Sequence, residues 1–445
     1  MSLQNTGPNR VKAFELLENR VLFNTLNAAD FGAIPDDGSD DRGAIQAAID
    51  HANPGDKVVF NSGTFNLNGQ VNLKGGITLS TASGTRDVLL DSYFAPSPGN
   101  GWVNGSNFAF RGDDVSGLSV DNLQFKANSG IFNFGTANNV TFRWNQFEWG
   151  YEGNYYNRHA FYVSRSADGL IIEKNNFHDA ESSDRNLEVW NWANGSYSYN
   201  TFYKINDGGH IMNPGDNFVM KGNVGRLIHR MGIEIQQDRY EPHHWPKNLL
   251  VADNIFSDWR RPFWDSMGLS VPVAGENVTI RNNYLKQNAF HGKWGEPDSS
   301  GKVRGSYGIE APQARQGQPG GIVEHNTVIS ERNVMGVSAP GKDTIVRNNK
   351  FYGHYAWSVV GGEPGSLGHG TVNSQENLHD KDVTKETGPV IKKRKPNNGK
   401  PDTRAQGRAF TPAVQSQSIF SNKSINNPIN GGDGVLEDAE ELVLV

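Results

Sequence analysis

Val140-Thr-Phe-Arg-Trp-Asn145-Gln-Phe147 decides how this chain is read. Apolar and polar residues alternate, and an Asn follows with an apolar residue two places on. The phrase returns as Leu170-Ile-Ile-Glu-Lys-Asn175-Asn-Phe177, Tyr197-Ser-Tyr-Asn200-Thr-Phe202 and Phe218-Val-Met-Lys-Gly-Asn223. It continues as Leu249-Leu-Val-Ala-Asp-Asn254-Ile-Phe256 and Val278-Thr-Ile-Arg-Asn-Asn283-Tyr-Leu285, then Val323-Glu-His-Asn326-Thr-Val328 and Val346-Arg-Asn-Asn349-Lys-Phe351. The steps from Asn to Asn are 30, 25, 23, 31, 29, 43 and 23 residues. Inside each unit the period is two, and Val, Ile, Phe and Thr dominate, so the unit is built of strands. Repeats of this length that alternate in twos predict an all-β solenoid, a parallel β-helix with one rung per unit. The recurring Asn is assigned to stability: stacked amides at a turn can bond to one another and to buried backbone.

Composition agrees. The chain has 445 residues, 36% of them apolar, enough for a large core, and 51 are Gly. Gly and Asn both tolerate the left-handed backbone of tight turns. A net charge of -6 gives no support for a nucleic-acid partner. There are no cysteines, so disulfides and thiolate metal sites are excluded. No apolar run approaches the ~18–20 residues needed to span a bilayer, so no membrane partner is expected. The start of the chain lacks the apolar core of an ordinary signal peptide. Phe14-Glu15-Leu16-Leu17-Glu18-Asn19-Arg20-Val21-Leu22 resembles the short Leu-Glu-x-Arg-x-Leu-Leu extracytoplasmic motif of some bacteria, with Asn19 where Pro is usual. An amphipathic strand explains it equally well.

Towards the N-terminus stand Asp30-Phe31-Gly32-Ala33, Asp36-Asp37-Gly38-Ser39-Asp40-Asp41 and Ala44-Ile45-Gln46-Ala47-Ala48-Ile49. These segments resemble the entry module of pectate-lyase-superfamily β-helix proteins. The superfamily includes polysaccharide lyases, glycoside hydrolases, alginate epimerases and phage tailspikes. The resemblance therefore implies a right-handed parallel β-helix that acts on carbohydrate outside the cytoplasm of a bacterium. Physically the segment reads as a short capping helix. Ser39 or Asp40 is the expected N-cap, and Ala44, Ile45, Ala48 and Ile49 form the apolar face. Residues 1–27 are read as an extension, 28–375 as the β-helix with its cap over 28–70, and 376–445 as a C-terminal cap and polar tail.

A second register runs between the Asn turns. Asn186-Leu-Glu-Val-Trp190, Gly208-Gly-His-Ile-Met212, Gly232-Ile-Glu-Ile-Gln236, Gly268-Leu-Ser-Val-Pro272, Gly308-Ile-Glu-Ala-Pro312 and Gly336-Val-Ser-Ala-Pro340 align without gaps, after Ala160-Phe-Tyr-Val-Ser164. Alternation sends the flanking apolar residues inward and the middle one outward. The outward file reads Tyr162, Glu188, His210, Glu234, Ser270, Glu310, Ser338. Packing gives a surface strand no reason to collect three Glu and a His in one line, although a solvated polar face is the plain alternative.

Glu234, Glu188, Glu310 and His210 are the candidate catalytic residues, because hydrolysis needs a carboxyl pair and close like charges raise one another's pKa. Arg230, His229, Tyr162, Gln236, Trp190, Trp192 and Trp264 are the candidate substrate contacts, with Trp245, Trp259 and Trp294 nearby; sugars stack on such rings. Glycoside hydrolysis by paired Glu is the leading expectation. β-Elimination on a uronate polymer would instead use Arg230, His229, His210 and Tyr162, with Ca²⁺ as a possible cofactor. A non-catalytic glycan-binding β-helix is the third reading. No metal site is assigned, and a monomer acting on a polysaccharide or oligosaccharide is expected. The Asp-Pro-His-Glu of alginate epimerases is missing, as is the Asn-Thr-Asp, Asp-Asp, Gly-His-Gly and Arg-Ile-Lys set of polygalacturonases. Family catalytic residues therefore cannot be carried over by motif.

Overall fold

The computed structural model describes residues 23–94, 107–149, 159–180, 186–237, 245–257, 267–287, 306–312, 320–338 and 344–360, with short strands at 373–375, 378–380, 391–393 and 442–444. The chain winds into a right-handed parallel β-helix. One sheet has 13 strands and the other 21 among the described residues. Rungs add one short strand to the first sheet, such as Thr141–Arg143, Ile171–Glu173, Ser196–Ser198 and Val219–Lys221, each parallel to the next. The other strands of each rung enter the second sheet, as Thr201–Asp207 and His210–Met212 do.

The turn between the sheets explains the repeated Asn. The residue before it is left-handed in rung after rung: Trp144, Lys174 and Tyr199 at φ 58°, Gly222 at 67°, Asp253 at 57° and Asn282 at 55°. That residue reverses the chain and sends the Asn side chain inward. Asn175 shows the result. Its backbone nitrogen donates to Asn200 Oδ1 at 3.0 Å, while its Nδ2 donates to the same oxygen and to the Phe142 carbonyl. The same pairings link Asn145, Asn175, Asn200, Asn223, Asn254, Asn283, Asn326 and Asn349. All of these side chains are buried. At the N-terminal end Leu123 holds the Asn position, and its backbone nitrogen donates to Asn145 Oδ1.

Two places after each Asn an apolar side chain stacks inside. Phe125, Phe147, Phe177 and Phe202 follow one another at 5.3, 4.9 and 5.3 Å between ring centroids, nearly parallel. Gly225 takes the next place, and the Phe256 ring reaches into the space it leaves. Each buried Phe contributes about 1.5–3 kcal/mol.

The capping helix spans Arg42–His51 and buries Ile45, Ala48 and Ile49. Its N-cap differs from expectation. Asp41 occupies the position but makes no capping bond; its carboxylate accepts from the Ile34 and Asn66 backbone nitrogens. Asp40 does the capping, accepting from the Arg42 nitrogen at 3.1 Å. The buried Asp41 is consumed in tying the helix to the first rung, and burial holds its carboxyl above the usual carboxylate range. The parallel pairing also exceeds the expected bounds, with Thr25–Asn27 before residue 28 and Leu378–Asp380 beyond 375. The last rung escapes the sequence pattern because His379 stands two places after Asn377, where the other rungs carry an apolar residue. Phe14–Leu22 lies outside the described residues.

A second amide file was not foreseen. Asn194 donates to Asp168, Asn217 to Asn194, Asn248 to Asn217 and Asn277 to Asn248, all on an exposed turn. The two files predict different costs. Asn200→Ala strands the buried Asn175 nitrogen and Ile172 carbonyl and should cost at least ~2 kcal/mol. Asn217→Gly, which keeps the left-handed turn at φ 56° and whose lost bonds water can replace, should cost under ~1 kcal/mol. Urea midpoints of the two variants measure the difference; equal losses would refute the assignment of stability to the inner file.

Candidate active site

The strand register sets the geometry. Tyr162 pairs with Glu188, Glu188 with His210, His210 with Glu234, Glu234 with Ser270, Ser270 with Glu310, and Glu310 with Ser338. Leu187, Val189, Ile233, Ile235, Leu269, Val271, Ile309 and Ala311 turn into the core. Glu188 and Glu234 therefore stand two strands apart with His210 between them, nominally ~9.6 Å. Glu234 and Glu310 repeat that spacing around Ser270.

Each carboxylate has a positioning partner. Trp190 Nε1 donates to Glu188 Oε1 at 3.1 Å. Gln236 Nε2 donates to Glu234 Oε1. His210 Nε2 lies 3.9 Å from Glu234 Oε2, and both side chains are almost wholly buried. Ser270 Oγ donates to Glu310 Oε2 at 2.6 Å. Glu188 and Glu310 keep partial access to solvent, whereas Glu234 is only 5% exposed. Tyr162 stands at the head of the file between His159 and Phe108, at 5.6 and 6.2 Å between rings. Its own burial and the neighbouring Glu188 charge hold the phenol above the ordinary tyrosine range, so it remains a donor.

A glycine column runs along the file, two residues ahead of His210, Glu234, Ser270 and Glu310. A Cβ on Gly268 would meet the Gly308 carbonyl oxygen at 2.9 Å, and one on Gly308 the Gly336 oxygen at 2.7 Å. Gly208 and Gly232 are closer still to the next rung. The same added atoms on Gly232, Gly268 and Gly308 would meet the buried side chains of Phe256, Leu285 and Val328, so rung spacing and core packing together demand glycine here.

Trp192 corrects the sequence reading. It is fully buried, donates from Nε1 to the Leu170 carbonyl at 3.0 Å and packs 4.8 Å from Phe218. The cause is Asn191 at φ 51°, a left-handed residue that reverses the phase of alternation between Trp190 and Trp192. Trp190 stays outward and Trp192 becomes core, so Trp192 is no substrate contact. Trp264, Trp259 and Trp294 lie outside the described residues, as do the side chains of His229, Arg230 and Ser338. Most of residues 238–247 and 287–304 also lie outside them. Two residues of the site were missed. Ser270 was in the file but had no assigned role until its bond to Glu310 was seen. Asp207, buried one strand away, accepts from the Met231 nitrogen at 3.1 Å. Among the described residues, no group of three or more His, Asp or Glu is placed to hold a metal ion.

A model described as a right-handed β-helix region matches residues 124–306. No curated protein matches the chain. Solved structures do. The A-module of the Azotobacter vinelandii mannuronan C-5 epimerase AlgE4 aligns at 17% identity, over 80% of this chain and 96% of its own, with a TM-score of 0.54. The endo-xylogalacturonan hydrolase of Aspergillus tubingensis aligns at 13% identity, over 80% and 100%, with a TM-score of 0.52. The expectation of fold drawn from the pectate-lyase-superfamily resemblance thus holds: the chain is a right-handed parallel β-helix.

Proposed function

We propose that this protein hydrolyses glycosidic bonds in a polysaccharide, with inversion at the anomeric carbon. The observation that carries the reading is the Glu188–His210–Glu234 file in continuous register. Its two carboxyl groups sit two strands apart, nominally ~9.6 Å, and a lean of the side chains toward each other would put them within the ~6.5–9.5 Å of inverting enzymes. Adjacent strands never pair two carboxylates here, so the shorter spacing of a retaining pair is absent from the described file.

Access to water supports a division of roles. Glu188 keeps partial access to solvent and is fixed by the Trp190 indole. As a carboxylate it takes a proton from a water that attacks the anomeric carbon. Glu234, enclosed and aimed by Gln236, gives its proton to the departing glycosidic oxygen as the C–O bond breaks. The pair ends with the proton on Glu188, and His210 between them is placed to return it to Glu234. Glu310 and Ser270 extend the polar file for substrate hydroxyls. Two structural neighbours act by name on mannuronan and xylogalacturonan, which supports a polysaccharide substrate. Such a substrate fits a protein working outside the cytoplasm. Elimination would need a base beside a cation; the raised Tyr162 phenol is a poor base near neutral pH.

Glu234→Gln should lower turnover by roughly 10²–10⁴-fold while polymer binding survives. The assay follows new reducing ends and, in parallel, the ultraviolet absorbance of an unsaturated product. Reducing ends without that absorbance, with an inverted anomer by NMR, fit the proposal. Unimpaired turnover by Glu234→Gln would sink it, and an unsaturated product would replace hydrolysis with elimination. Tyr162→Phe should weaken turnover without moving either limb of the pH profile, because a phenol with a raised pKa does not ionise in the working range. A limb that disappears in this variant would mean that Tyr162 titrates in catalysis.

A further inference from the structure

The inner Asn turn forces one left-handed residue per rung, and the cheapest occupants of that backbone are Gly, Asn and Asp, with His next. The chain obeys this at Asn122, Gly222, Asp253, Asn282, His325 and Asn348. Three successive rungs break the rule with Trp144, Lys174 and Tyr199. None of these side chains is spent on the core: Trp144 is 37% exposed, Tyr199 is 48% exposed and Lys174 is exposed. Folding therefore gives no reason for them.

Their arrangement does. Lys174 Nζ sits 5.4 Å from the centre of the Trp144 ring. The Tyr199 ring lies over Gly222, where a Cβ would meet it at 2.6 Å, so the missing side chain makes room for it. Trp144 and Tyr199 are two rungs apart, ~9.6 Å along the axis, a span commensurate with a disaccharide. Between them stands a cation. Neighbouring charges on the same corner are paired, Arg143 with Glu173 at 2.6 Å and Lys221 with Asp253 at 3.5 Å. Lys174 has no ion-pair partner among the described residues.

We propose that Trp144, Lys174 and Tyr199 form a second glycan-binding surface, which holds one strand of an acidic polysaccharide along the outer turn. The rings take the C–H faces of alternate sugars, and Lys174 takes a carboxylate between them. The surface lies on a different turn of the rung from the Glu188–Glu234 file. It rests on the polysaccharide reading above but not on the hydrolytic chemistry.

The test uses affinity electrophoresis of the full chain through gels containing polygalacturonate, alginate or neutral hydroxyethylcellulose. Trp144→Asn and Tyr199→Asn are combined, since Asn suits the left-handed backbone. Expected results are retardation by at least one uronate polymer, persistence of that retardation in Glu234→Gln, and weakening by about tenfold or more in the double variant. Lys174→Met should flatten the salt dependence of the retardation. The double variant should melt no lower than the parent; a lower Tm would make the rings structural and overturn the proposal. Unchanged mobility of the double variant, retardation by hydroxyethylcellulose alone, or no retardation by any polymer would also overturn it. Retardation kept in full by the double variant would assign binding to the catalytic file instead. Turnover by Glu234→Gln alongside retardation lost in the double variant would remove the hydrolytic reading and leave this one standing.

Discussion

A buried amide that must be satisfied on both sides governs this molecule. Each inner Asn accepts from one rung and donates to another, and its carboxamide has no water to fall back on. An amide can do this only if successive turns are stacked at strand spacing and in the same phase. The file therefore fixes the register of every strand around it, more strictly than apolar packing could. Phe and Leu tolerate small slips; a two-sided hydrogen-bond file does not.

Fixed register turns chemistry into a choice of one residue per rung. Outward side chains fall into straight files, and the separation between functional groups is quantised in units of about 4.8 Å. Interposing His210 between Glu188 and Glu234 selects a two-rung separation. The glycine column works on the same principle. The lack of a side chain at Gly232, Gly268 and Gly308 keeps the rungs close and leaves room for Phe256, Leu285 and Val328 in the core beneath the file.

Alternation and the Asn phrase made the fold, the inward residues and the outward file legible before any coordinates. Failures came where one left-handed residue resets the phase. Trp190 and Trp192 look like one face of a strand, but Asn191 reverses the chain between them and turns Trp192 into core. The exposed Asn194, Asn217, Asn248 and Asn277 file went unseen although each member stands three places before a core residue, Tyr197, Met220, Val251 or Ile280. The N-cap position fell on Asp41 and not on Ser39 or Asp40, because a carboxylate near a helix start can serve a distant backbone just as well as the helix. Pairings such as Ser270 with Glu310 depend on side-chain rotamers, which no periodicity encodes.

Left-handed turns cost a non-glycine residue about 1–2 kcal/mol each, and this chain accepts that cost repeatedly. At the inner corner it can do so because the turn delivers an Asn into a file whose loss would cost more. Stability is thus concentrated in the interior of the turn, and the exterior of the same turn is released from it. Side chains at 144, 174 and 199 face solvent on a backbone that is already secured. Glu234 and His210 meet in near-complete burial on strands whose register the same file secures. In a solenoid the interior of a rung answers to its neighbours, and the exterior is free to answer to a ligand.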